Sequence, residues 1–148
     1  MTSSSADTTP ETTVLELYEA LATGDVATLR RLLAEDFHAD LTPGLPWGLG
    51  SRPYESAAAM MREACGRVFM ELDLVPHPAE VHVVDTEVIV RGTYVGRSRL
   101  SGARLDAWFA HFWRTSNGRV VRLVQVTDTA AWIAAAETEP LPRDAETG

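Results

Sequence analysis

The chain predicts an α+β fold, a curved antiparallel sheet with N-terminal helices packed in its concave face, and three observations carry that expectation. The stretch from Arg104 to Asp128 reads as one long hairpin. Two runs rich in aromatic and β-branched residues flank Ser116-Asn117-Gly118, and Asn-Gly is the strongest short-range hairpin signal. Upstream, the segments between Val68 and Val95 alternate in the manner of strands. Before them, the first third of the chain holds two helical patterns in succession, so helices and strands are segregated along the sequence. A curved sheet with helices in its hollow encloses a pocket.

Residues 1–10 are small and polar and predict a disordered arm, residues 11–137 a single domain, and residues 138–148, with Pro140 and Pro142, a flexible tail. Thr13 with Glu16 forms a capping-box pattern, and Val14, Leu17, Tyr18 and Leu21 recur at helical spacing up to Gly24. Asp25 is placed to cap a second helix with Val26, Leu29, Leu32 and Leu33 on its inner stripe. A short strand is expected from Phe37 to Leu41, then a loop rich in Pro and Gly that carries Trp47. A third helix is expected from Ser51 or Pro53 to Cys65, ended by Gly66. Strand alternation follows from Val68 to Val75, with Pro76 and Pro78 as interruptions. Val81 to Val84 and Glu87 to Val95 complete the strands before the long hairpin, and Thr129 to Ala136 predicts a terminal helix.

At 148 residues, 45% of them hydrophobic, the chain fits one domain with one core. A formal charge of -8 argues against nucleic acid or an anionic membrane surface as partner. No apolar run approaches the ~20 residues of a membrane span, and the first residues lack the pattern of a secretory signal. The single Cys65 forms no internal disulfide and agrees with a cytoplasmic location.

The string VLELYEALATGDVATLRRLLAEDFHADLTPG, an isolated Trp-Gly loop, and FAHFWRTSNGRVVRLVQVTDT together resemble the SnoaL-like branch of the nuclear-transport-factor-2-like superfamily. The resemblance spans roughly Thr13 to Ala136 and is most specific from Ala20 to Asp25 and from His111 to Asp128. It implies a cone-shaped α+β fold shared by polyketide cyclases, ketosteroid isomerases and scytalone dehydratases. The positions that carry the isomerase base, tyrosine and protonated aspartate fall here on Leu41, Leu17 and Ala110, which speaks against steroid isomerase chemistry. The carboxylate that SnoaL-like cyclases use as general acid/base falls on Asp128.

Asp128 has two readings, a proton shuttle beside the pocket or the N-cap of the terminal helix. His111 serves as an acid/base near neutral pH or as a packing residue at a dimer interface. Gln125, between Val124 and Val126, shares a face with Leu123 and Thr127 and orients a ligand carbonyl or bonds its neighbours. Tyr18 belongs to the first helix stripe, as catalyst or core. Trp47, Trp108 and Phe112 are expected to line the pocket, with Asp106 as a second carboxylate and Asp40 as a weaker candidate. The resemblance implies that Ala110 and Phe112 face the cavity, and strand alternation then puts His111 and Trp113 on the opposite side. That opposite side is too apolar to stay exposed and predicts a homodimer. His77 and His82 show no metal-ligand spacing, and no glycine pattern for a nucleotide exists, so no metal and no cofactor are expected. The sequence points to a cofactor-independent cyclase, isomerase or dehydratase acting on a hydrophobic carbonyl or polyketide-like compound. Its rival is a non-catalytic binding or dimeric assembly protein of the same fold.

Overall fold

The structure, a computed structural model, describes residues 9–139; of the expected arm over 1–10 and tail over 138–148, residues 1–8 and 140–148 lie outside the described residues, while Pro10 already belongs to a helix. Helix α1 spans Pro10–Thr23. Its N-cap is Thr9, whose hydroxyl accepts from the Thr12 amide at 3.1 Å, rather than the expected Thr13. Pro10 in the first turn makes this earlier start possible, since its missing N–H is one that no intrahelical carbonyl would have bonded. Thr13 is buried instead, beside Val14, Leu17 and Tyr18. Gly24 ends α1 in the left-handed conformation with φ 71°, as its position after the last apolar residue predicts.

Asp25 caps α2, Val26–Leu32, by accepting from the Thr28 amide at 3.1 Å. Leu29 and Leu32 of the expected inner stripe are buried, while Val26 faces solvent. The chain turns straight from Leu32 into β1, Leu33–Asp40. A three-residue 3-10 turn, Pro46–Gly48, then carries Trp47 at φ 59°.

The third helix, α3, differs most from expectation. Capped by Ser56, it runs over 57–71, with α-helical Ala57–Ala59, a π-helical stretch Met60–Cys65, and α-helical Gly66–Glu71. Gly66 sits at φ -60°, ψ -44° and so passes the helix on rather than stopping it. The alternation of Val68, Met70, Leu72 and Leu74 concealed a helix whose inner face continues as Met61, Ala64, Cys65 and Val68.

Four long strands follow: β2, Leu72–Val84; β3, Glu87–Ser98; β4, Arg104–Ser116; and β5, Arg119–Thr127. Helix α4, Thr129–Glu137, closes the fold. The sheet order is β1-β5-β4-β3-β2, antiparallel throughout except that β1 lies parallel to β5. Pro76 and Pro78 do not interrupt β2; an edge strand accommodates proline by turning the donor-free nitrogen away from its one neighbour. Asn117 and Gly118 both take positive φ, 53° and 77°, the two-residue hairpin turn expected of Asn-Gly.

The two faces of β4 are the reverse of the expected assignment. Leu105, Ala107, Phe109, His111 and Trp113 point into the core, whereas Trp108 and Phe112 are exposed on the outer face with Asp106. A bulge explains the reversal. A regular two-residue turn puts Ala110 opposite Gln125, but Thr115 pairs with Val120 and Arg114 with Arg122, so Val121 is an extra residue. Every pair beyond it shifts by one, His111 comes to lie opposite Gln125, and the inner set changes parity. The apolar side on which the dimer was expected is therefore the interior.

A cavity behind a tyrosine–histidine–tyrosine cluster

The inner face of the sheet, α1, α3 and the loop after β1 enclose an apolar cavity of about 130 Å³. Leu17 and Leu21 come from α1, Phe37 and Leu41 from β1 and its end, Leu45 and Leu49 from the loop, and Met60, Met61, Ala64, Cys65, Val68 and Phe69 from α3. Trp132 of α4 also lines it. The π-helical stretch widens α3 where its two methionines and Cys65 meet the cavity, a frequent place for such a stretch. Burial pushes the Cys65 thiol up to about 11, which keeps it a thiol rather than a nucleophilic thiolate.

The polar groups of this wall come from the sheet. His111 is stacked on Phe109 at a ring-centroid distance of 4.0 Å, and both its nitrogens are engaged. Nδ1 lies 2.6 Å from the Tyr18 hydroxyl and Nε2 lies 2.6 Å from the Tyr94 hydroxyl. Trp113 donates its indole N–H to the Tyr18 hydroxyl at 2.9 Å, and Gln125 donates from Nε2 to the Tyr94 hydroxyl at 2.7 Å. The Gln125 Oε1 accepts in turn from the amide and hydroxyl of Thr42, each at 3.2 Å. All of these side chains are buried except that of Thr42, which is half-buried.

Local backbone choices make this possible. A Cβ on Gly92 would stand 2.2 Å from the His77 carbonyl oxygen and 2.7 Å from the Phe109 ring, so only glycine lets that ring lie flat on the sheet. Tyr94 packs on the same ring, centroids 4.7 Å apart, and from there its hydroxyl reaches His111. Burial sets the acid–base character of the cluster. It pushes His111 down to about 3 and both Tyr18 and Tyr94 above the ordinary phenol range, even though hydrogen bonds from Trp113 and Gln125 pull the other way. Neutral imidazole and neutral phenols are the resting forms.

The structure brings His111, Gln125 and Tyr18 together and separates the other predicted site residues from them. Asp128 is the N-cap of α4 and accepts from the Ala131 amide at 3.3 Å. It does not line the cavity, and its place in the chain before Thr129 is explained by the cap. Trp108, Phe112 and Asp106 lie on the outer face, where Asp106 pairs with Arg104 at 2.8 Å. Asp40 is also outside, paired with Arg122 at 3.0 Å. Trp47 packs under the Arg67 guanidinium, 5.4 Å from its ring centroid, away from the cavity. Among the described residues no carboxylate lines the cavity, no group of three His, Cys, Asp or Glu side chains is arranged to hold a metal, and no helix is long and apolar enough to cross a membrane. Tyr94 and Thr42 escaped the sequence reading; the alternation Val88, Val90, Gly92, Tyr94 on an inward face was the signal for the first.

The comparisons fit this architecture. A family profile described as a SnoaL-like domain matches residues 14–123. No curated protein matches the chain. A nuclear-transport-factor-2-like protein from Burkholderia thailandensis is 27% identical, with a TM-score of 0.79 over 88% of this chain and 98% of that one. IdmH from Streptomyces antibioticus, provisionally a polyketide cyclase, is 20% identical, with a TM-score of 0.73 over 87% and 99% of the two chains. TerC, co-crystallised with polyporic acid, is 22% identical, with a TM-score of 0.79 over 87% and 98%. With three quarters of its length matched by one family profile and its fold shared with these structures, the chain belongs to the SnoaL-like family of nuclear-transport-factor-2-like proteins.

Proposed function

We propose that the protein is a cofactor-independent SnoaL-like enzyme of the cyclase, isomerase or dehydratase kind that takes a hydrophobic carbonyl compound into its cavity. The observation that supports this reading is the hydrogen-bonded cluster of His111, Tyr94 and Gln125 on the floor of an otherwise apolar cavity, backed by Tyr18. Burying a histidine and two phenols costs stability that aliphatic packing would not, and a pocket with a few convergent polar groups is the usual form of a small-molecule site. TerC, of the same fold, was co-crystallised with a ligand, which is in keeping with it.

Chemistry here would centre on the carbonyl oxygen. With no carboxylate on the wall, the cavity favours a reaction whose carbon nucleophile belongs to the substrate itself, and ring closure fits best. The enol carbon of a folded substrate attacks its own carbonyl carbon, the carbonyl oxygen takes the Tyr94 proton, and the proton released from the enol oxygen returns to Tyr94. Isomerisation would need a base beside carbon, and the missing carboxylate therefore also supports the second reading, a binder without turnover.

The test is a thermal-shift screen of neutral aryl ketones, with recovery of the bound compound. Stabilisation by a ketone that is lost in Ala64→Phe, which fills the cavity, and kept in Asp128→Ala supports the cavity as the site. Recovery of a ring-closed isomer from a 1,5-diketone establishes the enzyme, and unchanged compound establishes the binder. Stabilisation that depends on Asp128 and not on Ala64 would refute the site.

The outer face of the sheet carries Trp108, Phe112 and Val126 exposed, bordered by the pairs Arg91–Glu80, Arg114–Glu87 and Arg122–Asp40. Each pair is neutral in sum, so a second copy meets an apolar centre and a rim without net repulsion, and a homodimer through this face is the assembly we propose.

A further inference from the structure

The number of protons in the cluster fixes what a ligand meets there, given the cavity as the ligand site. A backbone N–H only donates, so the Thr42 amide at 3.2 Å identifies Oε1 of Gln125 and leaves Nε2 as the donor to the Tyr94 hydroxyl. An indole N–H also only donates, so Trp113 occupies one lone pair of the Tyr18 hydroxyl. Two contacts remain, from Tyr18 and from Tyr94 to the two nitrogens of His111. Three hydrogens compete for them: two phenolic and the single N–H of a neutral imidazole. One phenol hydrogen is left over.

Its position follows from burial. With the imidazole proton on Nδ1, the leftover hydrogen belongs to Tyr18, which lies behind the cavity wall between the rings of Phe109 and Trp113. A buried donor without an acceptor there is strongly disfavoured. With the proton on Nε2, Tyr18 donates to Nδ1, His111 donates to Tyr94, and the leftover hydrogen belongs to Tyr94, which forms part of the cavity surface. The Tyr94 oxygen then accepts from both Gln125 and His111 and has nothing left to do but donate.

We propose that Tyr94 presents the cluster's one unpartnered hydroxyl hydrogen to the cavity, held by His111 in its Nε2–H tautomer and flanked by the second N–H of the Gln125 amide, and that the site selects neutral, carbonyl-type acceptors of about single-ring size. Among the described residues no charged side chain lines the cavity, so a carboxylate ligand would be buried without a counter-ion. The size follows from the volume of about 130 Å³, since an apolar cavity of about 150 Å³ takes benzene. Met60 and Met61 on the wall adapt to small differences in shape.

Three probes of one size separate the possibilities by calorimetric titration: acetophenone, ethylbenzene and benzoate. The protein is expected to bind acetophenone about tenfold more tightly than ethylbenzene and to bind no benzoate. Tyr94→Phe is expected to keep ethylbenzene and lose the tenfold preference. Long-range proton–nitrogen correlation of His111 in the unmodified protein is expected to show hydrogen on Nε2, a readout that does not depend on the variant folding. Equal binding of acetophenone and ethylbenzene, binding of benzoate, or hydrogen on Nδ1 would each overturn the donor assignment while leaving the cavity as a ligand site. Failure of both neutral probes to bind would overturn the cavity reading and the donor assignment together.

Discussion

His111 is the residue on which the interior chemistry turns, and its burial has a measurable cost. The folded protein holds its imidazole neutral down to about pH 3, whereas an unfolded chain protonates it near the ordinary histidine value of about 6.5. Between those values the unfolded state binds more protons, so stability falls as pH drops, by up to about 1.4 kcal/mol per pH unit, and is flat above the window. Urea unfolding at pH 7 and pH 5 should show a larger loss in the unmodified protein than in His111→Gln. Identical losses would mean that the ring is reached by protons in the native state. Tyr18, His111 and Gln125 were legible as candidates because each is a polar side chain set in an apolar pattern, and the structure brings the three into one hydrogen-bonded cluster. Their mutual arrangement was not legible. It depends on Val121, one residue added to one strand, which no local pattern announces and which reverses the faces of β4 relative to β5.

At the scale of elements, the helix pair, the Asn-Gly hairpin and the terminal helix were legible because caps, turn residues and periodicity agree there. The boundary between α3 and β2 was not, because residues 68–74 satisfy strand alternation while packing as the end of a helix. Two glycines now make opposite predictions. Gly66 has helical angles, and an added Cβ would meet nothing nearer than 3.6 Å, so Gly66→Ala should stabilise by about 0.4–1 kcal/mol. Gly92→Ala forces the Cβ against the His77 carbonyl and the Phe109 ring and should destabilise by about 1–3 kcal/mol. It should also disturb the Tyr94–His111 contact, visible as a shifted His111 nitrogen resonance. Equilibrium unfolding of the two variants decides the pair, and a destabilising Gly66→Ala would contradict a helix that runs on to Glu71.

The whole molecule has one apolar face inside and a second, smaller one outside. The expectation of an apolar side needing cover was sound, but the bulge moved it: His111 and Trp113 lie in the interior, and on the outer sheet face Trp108, Phe112 and Val126 are left in solvent. Sedimentation should find a dimer at micromolar concentration and a monomer in Trp108→Glu, with acetophenone affinity unchanged because Trp108 does not reach the cavity. A monomeric unmodified protein would refute the assembly. The rim of the sheet carries a consequence of its own. An edge strand normally offers a row of free amides on which another chain can template itself, the first step toward fibrils. Strand β2 is such an edge, thirteen residues long, yet Pro76 and Pro78 withdraw two amides from its open side and the bulge between Pro78 and Glu80 bends what remains. The segment that looked in the sequence like broken strand is what makes this edge a poor seed for aggregation, and it lets the sheet end where it does.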